Sequence, residues 1–182
     1  MRMVFLILAL ALSGCASTQF QVSSADLVNN QSVKFIDQRS EISIKGGKVR
    51  LTDAHYYHSD QAITPSKLLL LNDAITKHFG AGFKGEVIIQ QFDVIDYYAK
   101  RLRGAQSASI ASIGVFSPTD WNGNDDFILC NITIVIEGEI YSSTHATAYR
   151  LTENKMVVYQ EESYKNAVKK SIEGALSTLF SS

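Results

Sequence analysis

The chain has 182 residues, a formal net charge of −1, and 46% hydrophobic against 19% charged residues. That balance is globular, not disordered, and the length suits one domain with its own core better than two. Seventeen basic side chains against 18 acidic ones leave no electrostatic footprint for nucleic acid, which argues against it as a partner.

The first predicted element is a targeting segment. Arg2 gives a positive start, Val4 to Leu12 an apolar centre, and Ser13-Gly14 a pair of small residues before Cys15. That is the order of a secretory signal peptide, and the run falls far short of the roughly 18 apolar residues a spanning helix needs. With a cysteine at the cleavage point, the stretch resembles the lipobox of bacterial lipoproteins. The resemblance implies loss of residues 1–14, a thioether-linked diacylglycerol on Cys15 and a further acyl chain on its new amino group. Two or more chains anchor stably, at about 0.8 kcal/mol per buried methylene. Residue 16 is Ala, not the Asp that goes with inner-membrane retention, so the resemblance implies the outer membrane, periplasmic side. Cys130 is then left without an intramolecular partner, no disulfide can form within the chain, and stability must come from packing.

Residues 15–31, polar and without sustained periodicity, read as the acylated cysteine and a flexible tether of about 20–24 Å mean span. The domain is expected over 32–182. Val33 to Asp37 predicts a strand, and Glu41 to Ile44 and Val49 to Leu51 predict two more around Gly46-Gly47. Thr64-Pro65 predicts a helix start, with Thr64 as N-cap and Pro65 at the first helical position. Leu68, Leu71, Ile75 and Phe79 would form its buried face, and Gly80 its stop. Gly85 to Tyr98 reads as a long strand. Residues 100–116 are ambiguous, their small residues from Gly104 to Ser112 fitting a strand, a short helix or a mobile loop, and 118–126 reads as a loop. Phe127 to Ile140 alternates most clearly, with Ile128, Cys130, Ile132, Ile134 and Ile136 on one face. A turn near Ser142-Ser143, a strand from Thr144 to Leu151, a turn at 153–155 and a strand from Met156 to Glu161 follow. The last element is a helix capped by Ser163, with Val168, Ile172, Ala175, Leu176 and Leu179 inward and Lys165, Lys169 and Lys170 toward water. The order predicts an α+β fold, a mainly antiparallel sheet with two principal helices packed on one face.

Asp53 to Asp60 holds the best candidates for chemistry. His55, His58 and Asp60 are ligand types for zinc or a similar divalent ion, and a metal-dependent hydrolase would use them. On a strand, however, His55 and His58 point to opposite faces. Tyr56 and Tyr57 suit a contact surface at least as well as the stretch suits a metal site. Trp121 sits in Asp120 to Asp126, which fails as a calcium loop because Asp125 replaces the glycine and the twelfth place is Asn131; a loop tryptophan can anchor an interface or pack in a satellite core. Lys100, Arg101 and Arg103 form a basic cluster suited to anionic headgroups or an acidic partner. Cys130 alternates with apolar neighbours and reads as a buried hydrophobe. No nucleophile elbow and no phosphate loop occur. Asp93 and Asp96 cannot be placed across a cleft from spacing alone.

The lipobox, the polar stretch, Asp37-Gln38-Arg39, Thr64-Pro65, the meander and the amphipathic last helix, in that order, resemble the small outer-membrane lipoproteins typified by YajG. That family brings no established catalytic residues. The resemblance implies location and fold. The expectation is a lipid-anchored, non-catalytic accessory or assembly partner in the envelope, with an envelope protein as partner and no cofactor. The alternative is a module binding a peptidoglycan or lipid fragment.

Overall fold

The computed structural model describes residues 19–23, 27–48, 55–97, 126–153, 156–158 and 161–181. The strands are β1 (Phe20–Gln21), β2 (Lys34–Asp37), β3 (Gly47–Lys48), β4 (His55–Tyr57), β5 (Ile63–Thr64), β6 (Glu86–Tyr97), β7 (Asp126–Ile136), β8 (Glu139–Glu153) and β9 (Met156–Val158). The helices are α1 (Glu41–Lys45), α2 (Lys67–Phe79) and α3 (Glu161–Thr178), with a 3₁₀ turn at Asp60–Ala62.

Among the described residues seven strands join in the order β3-β4-β6-β7-β8-β9, with β2 also on β6. One edge of β6 carries β7 along most of its length. The other edge is shared: β2 runs parallel to Glu86–Ile89, and β4 runs antiparallel to Ile95–Tyr97. A bulge between Ile89 and Gln91 separates the two halves. The extra residue keeps Val87, Ile89, Phe92 and Val94 on one face, all buried.

That face and the alternating isoleucines of β7 share one core with Leu70, Leu71 and Ile75 of α2 and Val168, Ile172 and Ala175 of α3. The fold is α+β, a mainly antiparallel sheet with its helices, as the periodicity predicts. A smaller buried cluster of Ile95, Tyr97, Phe127 and Leu129 occupies the other face. Burial pushes the Cys130 thiol far above its ordinary range, so it stays a protonated hydrophobe.

Several local expectations are corrected. Glu41 to Ile44 is a helical turn, α1, not a strand, and it buries Ser43 so that its hydroxyl donates to Phe92 O at 3.2 Å. Thr64 belongs to β5, so α2 starts two residues later; Ser66 is the cap, accepting from Leu69 N–H at 3.3 Å. The buried face of α2 is correspondingly rotated onto Lys67, Leu70, Leu71 and Ile75, and Phe79 lies outside. Between β7 and β8 the chain turns at Glu137-Gly138, not at Ser142-Ser143. Both turn residues have positive φ, 52° and 87°, the geometry a two-residue hairpin demands and glycine supplies. Ser142 and Ser143 pair instead with Thr133 and Ile132. Ser163 lies inside α3, which starts at Glu161.

The largest correction concerns the described part of the expected tether, residues 19–23 and 27–31. Phe20 and Gln21 pair in parallel with Ile63 and Thr64. Val22 is buried in the main core. Val28 N–H donates to Asp73 (3.0 Å), and Asn30 and Asn72 exchange backbone-to-amide bonds of 2.8 and 3.0 Å. From Phe20 onward this stretch includes docked structure, because apolar Phe20 and Val22 alternate in a way that a count of its polar residues hides.

Candidate functional site

Among the described residues, two buried polar clusters and a groove between helices could hold or position a ligand. The first cluster begins at the end of β2. Asp37 and Asp60 flank Arg39, whose side chain is buried. Its Nε and Nη2 donate to Asp37 at 2.9 and 2.8 Å, and Nη1 and Nη2 to Asp60 at 3.0 and 2.8 Å. Lys67, in the first turn of α2, is fully buried. Its Nζ donates to Ser43 O and His58 O, both at 3.0 Å, and lies 3.2 Å from Asp60. The hydrogen bonds from Arg39 hold the Asp37 carboxyl below the usual carboxylate range, and desolvation lowers Lys67. Two cations and two anions balance, so the cluster works as an internal tie between β2, α1, the 3₁₀ turn and α2.

The second cluster centres on Asp96 in β6. Tyr149 Oη donates to Oδ1 at 2.6 Å, and Tyr164 Oη to Oδ2 at 3.0 Å. His58 Nε2 lies 2.9 Å from the same Tyr164 oxygen. With the Tyr164 proton directed to Asp96, His58 must donate, which fixes it as the Nε2–H tautomer. Burial, with the Lys67 charge nearby, pushes the His58 pKa down to about 4. Phe20 and Tyr56 stand edge-on to its ring at 5.0 and 5.4 Å. His58 is thus a neutral, packed histidine linking the N-terminal strand to α3.

Residues singled out by the sequence part company here. His55 faces away from His58, against Tyr97 at 4.3 Å, and Asp60 is committed to Arg39 and Lys67. Among the described residues no group of three His, Cys, Asp or Glu side chains could hold a metal ion. The three candidates therefore do not converge. Tyr56 and Tyr57 also lie on opposite faces; Tyr56 is 37% exposed, whereas Tyr57 is half-buried. Lys100, Arg101, Arg103 and Trp121 lie outside the described residues. Asp93 and Asp96 point to opposite faces of β6, so they do not form a pair across a cleft. Among buried side-chain polar atoms described, His55 Nε2 and Asp93 Oδ1 have no hydrogen-bond partner.

Spacing missed Arg39, Lys67, Tyr149 and Tyr164. Only Lys67 left a trace: it occupies the same helical face as Leu71 and Ile75, where a solvated lysine does not belong.

The groove lies between α2 and α3 and is also lined by Val22, Ser23 and Leu27. It has a volume of about 490 Å³, within the range of small-molecule sites. Leu70, Ala74, Leu176 and Phe180 give it apolar walls, while Asp73, Lys77, His78 and Glu173 supply polar ones. The Lys77–Asp73 ion pair (2.6 Å) and the stacking of His78 on Phe180 (4.5 Å) order that lining. Such a site can take an amphipathic group, apolar part inward. No protein-family model, curated protein or solved structure matches the chain.

Proposed function

We propose that the chain is a lipid-anchored lipoprotein of the outer membrane, facing the periplasm, whose domain is a non-catalytic accessory or assembly partner in the envelope. The observation that carries this reading is the Arg2, Val4–Leu12, Ser13-Gly14-Cys15 order, with Phe20, five positions on, buried in a folded domain. The buried polar groups favour a holding role over a catalytic one, because Arg39, Lys67, His58 and Tyr164 direct their bonds to neighbouring elements of the fold. Mass spectrometry of the protein from membranes tests the anchor: a lipid-modified N-terminus at Cys15 is expected, lost in Cys15→Ser. Cross-linking the acylated protein and recovering its neighbours tests the partner; nonspecific neighbours alone, across several growth conditions, would sink that part.

The groove favours a second reading, a module that binds a peptidoglycan or lipid fragment. Titration with a muropeptide and, separately, a lysophospholipid should perturb NMR signals of Ala74, Lys77 and Leu176. Unmoved signals at millimolar ligand would remove it.

A further inference from the structure

We propose that the end of the domain carrying Phe20, Tyr56 and Lys48 is apposed to the lipid surface that holds Cys15. The inference rests on the anchored reading above and gives the domain an orientation. Phe20 is buried, paired to Ile63 and packed on His58, so the chain is fixed to the fold from this residue. Only residues 16–19 separate it from Cys15, and five peptide steps span at most about 17 Å. Free rotation on a long tether is thereby denied.

The surface beside this point suits a bilayer interface. Tyr56, 37% exposed, packs on the same His58 ring as Phe20. Lys48 is directly opposite Tyr56 in the β3–β4 pair and is exposed, so the two side chains share a face about 5 Å apart. A tyrosine with a neighbouring lysine is the combination that sits at headgroup level: the ring lies against the acyl boundary and the ammonium reaches phosphate. Among the described residues, Gln19 and Gln21 flank Phe20 in the chain and are exposed and uncharged, and Asp60 is taken up by Arg39 and Lys67. Lys34 and Glu86 mark the far end of β6, about 30 Å from Asp96, the partner of Tyr56.

The test uses the acylated full-length protein in vesicles of phosphatidylethanolamine and phosphatidylglycerol containing headgroup-nitroxide lipid. A fluorophore is placed at Lys48→Cys or, separately, Lys34→Cys; both sites are exposed, and buried Cys130 does not compete. Quenching at position 48 at least threefold stronger than at 34 is expected. Inserting twelve Gly/Ser residues after Ala16 should reduce the difference. Equal quenching, or stronger quenching at 34, in protein shown by mass spectrometry to carry lipid overturns the orientation alone. Absence of lipid on Cys15 overturns the anchored reading and the orientation with it.

Discussion

Arg39 is the residue on which most of the buried charge turns, since it bonds both Asp37 and Asp60 and each of those bonds is geometrically specific. Arg39→Ala leaves Asp37 and Asp60 facing Lys67 alone, and a loss of about 3–5 kcal/mol is expected. Arg39→Lys should recover little, because a single ammonium cannot reproduce the fork. Thermal or urea unfolding checks both; a loss below about 1 kcal/mol for Arg39→Ala would refute the role. His58 gives a pH signature. Its folded pKa, about 4, lies below the ordinary 6.5, so between these values the unfolded chain binds a proton that the folded one refuses. Stability is therefore full above pH 6.5 and falls as pH drops toward 4. His58→Gln should reduce the slope of the melting temperature across that window without abolishing it, because burial also lowers His55. The lowered Asp37 adds a separate loss at more acidic pH, through the same linkage, and that limb should survive in the variant. Parallel profiles for the two proteins between pH 4 and 6.5 would contradict the assignment.

At the scale of elements, the approach of α3 to β8 depends on Gly174. A Cβ built there would collide with the ring of His145, and Ser143 and Thr178 hydroxyls meet beside it at 2.7 Å. Gly174→Ala should destabilise by about 1–3 kcal/mol, as overpacking does, with His145→Ala restoring part of the loss. A double-mutant cycle in urea measures the coupling, and additive effects would argue against contact. The hairpin shows why some elements are legible and others are not. The apolar alternation of β7 is a property of one strand, so sequence reveals it. The position of its turn rests on two consecutive positive φ values at Glu137-Gly138, and serines at 142–143 offer a plausible turn that the pairing of β8 overrides. Likewise, Glu41 to Ile44 alternates like a strand, but the segment is a helical turn that buries Ser43, whose hydroxyl donates to the Phe92 carbonyl.

For the molecule as a unit, the chain from Phe20 to Val22 and at Asn30 belongs to the domain. Residues 16–31 look like a tether on composition, yet Phe20 and Val22 are buried and Asn30 is bonded to α2. Deleting 16–31 should cost about 5 kcal/mol, taking roughly 1.5–3 kcal/mol for each buried side chain. For a chain of this size that lowers the melting temperature by roughly 10–20 °C, measurable by calorimetry; an unchanged value would restore the tether. Alternation, helical spacing and the order around Cys15 are local patterns, so the class of fold and the expectation of an anchor are legible along the chain. The tertiary structure alone decided that His55, His58 and Asp60 diverge, that Lys67 is buried beside Asp60, and that Asp96 gathers Tyr149 and Tyr164. Those outcomes depend on which strand pairs with which and on where buried charge finds its partner, and neither is encoded in the spacing of neighbouring residues. The short Cys15–Phe20 spacer combines both kinds of information: the cysteine was legible in the sequence, but its distance from the folded body follows from Phe20 being held in β1.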